Sequence, residues 1–173
     1  MSNEVECQLQ ACLPRLFGYA VSLAGDRETA CDLLQDCAVK ALAAPNPPAD
    51  RATLRAWLFR ILRNAWIDAW RHDMRAPFEP VEAASAREAE YWAIDERLIC
   101  EIAVKQALER ISVAHREVLT LVDLAGFTYA DVSTILDVPV GTVMSRLARA
   151  RKALLAALGD APCGAPQHDC RCR

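Results

Sequence analysis

Histidine is scarce in this chain and poorly placed for chemistry: His72, His115 and His168 lie far apart, and no glycine-rich run that could cradle a phosphate accompanies them. The acidic pairs stand at the spacings of an ordinary solvated helix. With no convergent nucleophile, base or metal set, an enzyme is the least supported class. Long apolar runs are missing too, none approaching the roughly 20 residues that cross a bilayer, so no direct membrane insertion is expected. The N-terminus, MSNEVECQLQ, shows no basic segment followed by an apolar one, which argues against a secretory signal and for a cytoplasmic protein. Strict alternation of apolar and polar residues, the mark of a half-buried strand, occurs nowhere.

What is present is a chain of 173 residues in which 53% are hydrophobic, enough to exclude a disordered protein and to build one ordinary domain or two small ones. Apolar residues recur at helical spacing almost throughout, which predicts an all-α fold. A first helix, about 5 to 24, places Leu9, Leu13, Leu16, Phe17, Ala20 and Leu23 on one side and ends at Gly25, with Pro14 marking a kink or a later start near Leu13. Asp26 suits the N-cap of a second helix, about 27 to 44, and Thr53 that of a third reaching about Met74. Between Ala76 and Glu90 the composition is that of an acidic linker. Helical pattern returns from about Tyr91 to Arg110 and from Val113 to Leu124. Thr128 with Asp131 resembles a capping box opening a short helix that ends by Asp137, and Pro139 is suited to the first position of the next. Of the eight cysteines, Cys7, Cys12, Cys31, Cys37 and Cys100 fall in helical stretches and read as reduced, mostly buried thiols.

Charge is distributed unevenly. Residues 45–75 hold six basic and three acidic residues, 76–103 two basic and seven acidic, and 138–158 four basic and none acidic, within a chain of net charge −3. Two cationic islands in an acidic background favour local contact with a polyanion over indiscriminate binding. In the second island Val143, Leu147, Ala150, Leu154 and Leu158 fall within about 80° of one another on a helical wheel, leaving Met144, Ser145, Ala148, Arg149 and Lys152 opposite, with Arg146 and Arg151 at the flanks. Val132, Ile135 and Leu136 of the preceding short helix face the same core across the turn DVPVG. A short helix, a tight turn and a basic amphipathic helix are the parts of a helix-turn-helix, whose second helix lies in the major groove.

The first island, LRAWLFRILRNAWIDAWRHDMR from Leu54 to Arg75, buries Leu54, Leu58, Ile61 and Ala65 on one face. Phe59, Arg60, Arg63, Trp66, Ile67, Trp70, Arg71 and Met74 lie opposite. Arginines interleaved with aromatics suit single-stranded nucleic acid, because guanidinium pairs with phosphate and bases stack on rings. Periodicity alone equally allows Trp66 and Trp70 to be core or interdomain packing.

In this order and at this spacing, these segments resemble regions 2 and 4 of bacterial RNA polymerase sigma factors, in the extracytoplasmic-function (ECF) group that keeps only those two domains. DLLQD, Asp32 to Asp36, is similar to the region 2 motif that grips the polymerase β′ coiled coil, which implies polymerase contacts for Asp32, Gln35 and Asp36. Arg55 to Arg71 is similar to the part that holds the −10 element while it melts. Arg60, Arg63, Asn64, Trp66 and Arg71 are the implied −10 contacts, with Asn64 and the loop Pro45 to Arg51 around a flipped base. Val104 to Leu154 resembles region 4, whose last helix reads the −35 element through Thr142, Met144, Ser145, Arg146, Arg149 and Lys152. Met144 stands where relatives carry an arginine, and Ala148 is small, so specificity leans on Arg149, Ser145 and DNA shape.

The resemblance thus implies two small helical domains: region 2 over 1–75, a linker over 76–96, region 4 over 97–158, and a cysteine-containing tail over 159–173. It also implies an alternative sigma factor that binds core RNA polymerase through the β′ coiled coil and β flap, directs it to promoter DNA and helps melt the −10 element. An anti-sigma factor is the implied control, through which the cytoplasmic bacterial factor could be held at the membrane. The tail sequence CGAPQHDCRCR offers Cys163, His168, Cys170 and Cys172, thiolate and imidazole groups able to bind zinc or copper(I). Some relatives sense metal with longer cysteine-rich tails; the plainer expectation here is no cofactor and incidental thiols. Two rivals share part of the pattern: a helix-turn-helix regulator acting without core polymerase, and a sigma mimic that titrates an anti-sigma factor.

Overall fold

The computed structural model of the protein describes residues 2–73 and 104–159, and among these every regular element is helical. The first helix, α1 (Ser2–Ala24), continues through Pro14 without a break, so it has no late start at Leu13. Sequence reasoning expected a kink or a late start there. Pro14 and Gln10, whose carbonyl loses its helical donor, are both exposed, so the missing bond falls on the solvent side of the helix. On either side of it Val5, Leu9 and Cys12 and then Leu16, Tyr19, Ala20 and Leu23 are buried, so both halves pack on the core. Leu13, expected in that stripe, is instead 44% exposed.

Gly25 ends α1 with φ of +86°, a conformation that costs a residue lacking Cβ little. Asp26 then caps α2 (Arg27–Leu42) as expected: its Oδ1 accepts from the Thr29 amide at 2.8 Å. That bond holds the Asp26 carboxyl below the usual carboxylate range. For α3 (Arg51–Asp73) the cap is Asp50 rather than Thr53. The Asp50 Oδ2 accepts from both the amide and the hydroxyl of Thr53, each at 2.8 Å, because the helix begins three residues earlier than a Thr53 cap implies. The three helices close around Leu16, Ala30, Cys37, Leu54, Leu58 and Leu62. Cys37 is fully enclosed, and burial pushes its thiol up to about 12. Cys12 is also buried, whereas Cys7 is exposed and Cys31 lies between.

In the second half, residues 104–110 are helical, the described part of α4. Ser112 caps α5 (Val113–Leu119), which does not continue regularly to Leu124 as expected but widens into a π turn over Thr120–Leu124. There the Ala125 amide donates to the Thr120 carbonyl, and Gly126, at φ +71°, turns the chain away. The capping box at the start of α6 (Tyr129–Leu136) is complete in both directions, Thr128 bonding Asp131 and Asp131 bonding Thr128. Asp137 ends α6 in the left-handed region at φ 55°. Pro139 sits just before α7 (Val140–Gly159), one place earlier than expected, its carbonyl accepting from the amides of Thr142 and Val143. Val132, Ile135, Leu136, Val143, Leu147 and Ala150 form the core of this half.

The two halves lie against each other. Phe59 of α3 is fully buried, its ring 5.4 Å from that of Tyr19 and edge-on to that of Phe127 at 4.8 Å, so one apolar cluster runs through both. The expected linker residues 76–96, Cys100, and the tail with Cys163, His168, Cys170 and Cys172 lie outside the described residues.

Candidate nucleic-acid interface

Helix α7 divides by local periodicity into a buried stripe and a free face. Val143, Leu147 and Ala150 pack on α5 and α6, while Leu154 and Leu158, expected in the same stripe, are half-buried. Met144 is 53% exposed, Ser145, Arg149 and Lys152 are exposed beside it, and Thr142 and Arg146 are half-buried at the edges. Arg149 folds back along the helix: its Nε donates to the Ser145 carbonyl at 3.2 Å and its Nη2 to the Ser145 hydroxyl at 3.4 Å. That hydroxyl in turn donates to the Thr142 carbonyl at 3.1 Å. The guanidinium is thereby held against Ser145 on the exposed face. Arg151 differs, since Asp123 at the end of the π turn neutralises it across 2.6 Å. Among the described residues Arg146, Arg149 and Lys152 have no acidic partner, and they can neutralise phosphates or donate to base edges.

The preceding turn is rigid for local reasons. Ser133 Oγ donates to the Val138 carbonyl at 2.6 Å and the Val138 amide returns to the Ser133 carbonyl at 3.1 Å, which fixes the direction in which α7 leaves α6.

On α3 the outcome is mixed. Arg60, Asn64 and Arg71 are exposed and border a cleft of about 380 Å³, whose far wall is Ile135 and Asp137 of α6. Trp70 is 54% exposed and Trp66 half-buried against the core. Phe59, read from the sequence as part of the free face, is core, because α1 and the loop before α6 cover that side of α3. Arg63 is turned inward, its Nε donating to Glu117 Oε1 at 2.8 Å.

Asp32, Gln35 and Asp36 are all exposed on the outer side of α2. Val39, at 67% exposure, lies on the same strip at spacings of three, four and seven residues from them, and Leu42, 48% exposed, extends it. Sequence reasoning missed these two, although an apolar residue three places after Asp36 on a polar face was the available signal. It also missed Tyr19 and Glu117, which no local pattern marks.

A fold of two small helical units, the second a helix-turn-helix with a basic exposed helix, defines a class of DNA-directed transcription proteins. The comparisons specify it. Residues 9–76 match the family profile for sigma-70 region 2, and residues 101–154 that for sigma-70 region 4. The ECF RNA polymerase sigma factor EcfG of Rhodopseudomonas palustris is 33% identical over 161 residues, 91% of this chain and 87% of that protein. The ECF RNA polymerase sigma factor SigM of Mycobacterium tuberculosis is 37% identical over 134 residues, 76% of this chain and 65% of that one. Among solved structures, the sigma factor RpoE in complex with the anti-sigma factor NepR, from Bartonella quintana, superposes with a TM-score of 0.68. It is 31% identical, the match covering 90% of this chain and 97% of that one.

The chain belongs to the sigma-70 family of RNA polymerase sigma factors, in its ECF group. Its function is that of the group: it binds core RNA polymerase and directs it to promoter DNA for transcription initiation. The family is one of initiation factors rather than enzymes. Among the described residues no helix is long and apolar enough to cross a membrane.

Proposed function

We propose that the labour is divided among three faces of the chain. The outer strip of α2, with Asp32, Gln35 and Asp36, docks on the polymerase β′ coiled coil, and Val39 adds an apolar contact that charge alone would not supply. The exposed side of α3 takes the opened −10 strand: Arg60, Arg63 and Arg71 on phosphates, Trp66 beside the bases, Asn64 on a base drawn out of the stack. Unstacking costs a few kcal/mol, which these contacts must offset. Helix α7 takes the −35 duplex, with Arg149 and Ser145 toward base edges, Met144 in apolar contact, and Thr142, Arg146 and Lys152 toward the backbone.

The observation that supports this most is the exposed face of α7, which is cationic and, among the described residues, has an ion pair at Arg151 with Asp123 alone. In the same reading residues 1–75 and 97–158 are the working modules, joined by the acidic stretch 76–96, and the factor acts in the bacterial cytoplasm without catalysing a reaction. An anti-sigma factor restrains it, a reading supported by the likeness to a sigma factor solved with one. No metal or cofactor is required, the tail thiols being incidental; stoichiometric zinc or copper(I) binding by the reduced chain would overturn that clause. The deciding experiment is run-off transcription with sigma-free core polymerase on promoters recovered with the factor. A product from one defined start supports the reading. Binding of the isolated chain to an operator, with no product when polymerase is added, would replace it with that of an ordinary helix-turn-helix regulator.

A further inference from the structure

Glu117 is 5% exposed, and its Oε1 accepts two hydrogen bonds from remote parts of the chain. The Tyr19 phenol donates at 3.0 Å from 98 residues away, and Arg63 Nε donates at 2.8 Å from 54 residues away. Tyr19 is itself enclosed, and burial followed by the Glu117 charge raises its pKa well above the usual phenol value, so it remains a donor. Two further contacts tie the same two modules together. Arg55 lays its guanidinium over the Phe127 ring at 4.1 Å and donates from Nη2 to the Ala125 carbonyl at 2.8 Å. Each of these contacts joins α1 or α3 of the first module to α5 or the loop after the π turn in the second.

Arg63 thus has a carboxylate where the proposed reading needs a phosphate. The cleft beside it, bordered by Arg60, Asn64 and Arg71, has Ile135 and Asp137 of α6 as its opposite wall. A nucleic-acid strand laid on this side of α3 would meet Ile135 and Asp137 across the cleft and would have to take over the guanidinium held by Glu117. The contact is mixed: beside the apolar Tyr19–Phe59–Phe127 cluster stands a buried ion pair, which roughly breaks even against the solvation it gives up, so separation costs mainly the apolar area it exposes. An incoming phosphate replaces one anionic partner of Arg63 by another, so Arg63 never has to be left buried and unpaired.

Resting on the assignment of the −10 strand to α3, we propose that Glu117 is an internal competitor of nucleic acid: it holds Arg63 and Tyr19 in a closed arrangement of the two modules that excludes single-stranded DNA from α3. Strand binding and closure are then alternatives. Whatever separates the modules, docking on polymerase included, exposes the strand-binding face, and DNA in turn favours the open form to the extent that it binds only there.

The test uses the full chain, a fluorescein-labelled mixed-sequence single-stranded 20-mer, and small-angle X-ray scattering. Glu117→Ala should raise the affinity for the 20-mer at least tenfold and increase the radius of gyration. Glu117→Gln, which keeps the shape but weakens the ion pair, should shift both in the same direction by a smaller factor. If the alanine variant fails to fold, judged by circular dichroism, the glutamine variant decides. Saturating the wild type with the 20-mer should also expand it. Folded variants that stay compact and bind no tighter, or a wild type that binds the strand while remaining compact, would overturn the proposal. Run-off transcription separates the two readings. If the wild type initiates normally while the variants change neither shape nor affinity, only the competitor role fails. If no variant initiates but the open forms bind DNA more tightly, the sigma function fails and the closure stands.

Discussion

Phe59→Ala separates two accounts of α3. If the ring belonged to a nucleic-acid face, its removal would leave stability nearly unchanged and weaken strand binding. The structure places it at 0% exposure between Tyr19 and Phe127, with ring centroids 5.4 and 4.8 Å away. Removing a fully buried phenylalanine costs about 3–5 kcal/mol, the lost transfer energy plus the cavity left behind. The loss of the two aromatic contacts, worth roughly 0.5–1.5 kcal/mol each, places this substitution toward the upper end of that range. In a chain of this size 1 kcal/mol corresponds to about 2–4 °C, so melting should fall by roughly 6 to 20 °C. Phe59→Leu, which refills most of the volume, should recover more than half of that loss. Thermal unfolding followed by circular dichroism measures both. A Phe59→Ala protein that melts within about 2 °C of wild type would refute the assignment of this ring to the core.

Three further outcomes are expected. Arg149→Ala should cost about 1–3 kcal/mol on the −35 duplex and relax preference at one base position, whereas Lys152→Ala should weaken all duplexes alike and reduce the salt slope by about 0.9; fluorescence anisotropy across a salt series distinguishes them. Asp26→Ala should destabilise by about 1 kcal/mol through loss of the α2 cap. Because the folded-state pKa of Asp26 is lowered, its contribution is fully present above the ordinary carboxylate pKa of about 3.9 and is lost as pH falls through the lower folded value. The difference between wild type and Asp26→Ala in urea titrations should therefore shrink only at acid pH. Cys37, pushed up to about 12, should resist iodoacetamide at pH 8 in the native protein while exposed Cys7 reacts, which peptide mass mapping checks.

Features that depend on a few neighbouring residues were readable directly. The Asp26 cap, the Thr128–Asp131 box, the glycine stops at Gly25 and Gly126, and the division of α7 into a Val143–Leu147–Ala150 stripe and a cationic face all follow from helical periodicity and from unsatisfied backbone donors at helix ends. The exposed acidic strip of α2 was equally legible, although its extension to Val39 was overlooked.

What the tertiary structure decided concerns helices that meet more than one neighbour. Period 3.6 shows that α3 has two different sides but not that a second helix covers one edge of the polar side, so Phe59 and Arg63 were read as outward. Leu13 was misplaced for the converse reason: it lies on an apolar stripe of α1, yet among the described residues no element covers it. The Tyr19–Glu117–Arg63 contact spans 98 and 54 residues, distances over which a sequence pattern carries no geometric information. Short-range hydrogen bonding and periodicity therefore determine where each helix starts, stops and faces. Only the packing of distant helices determines which cations remain free to meet DNA and which one is held by a carboxylate of its own chain.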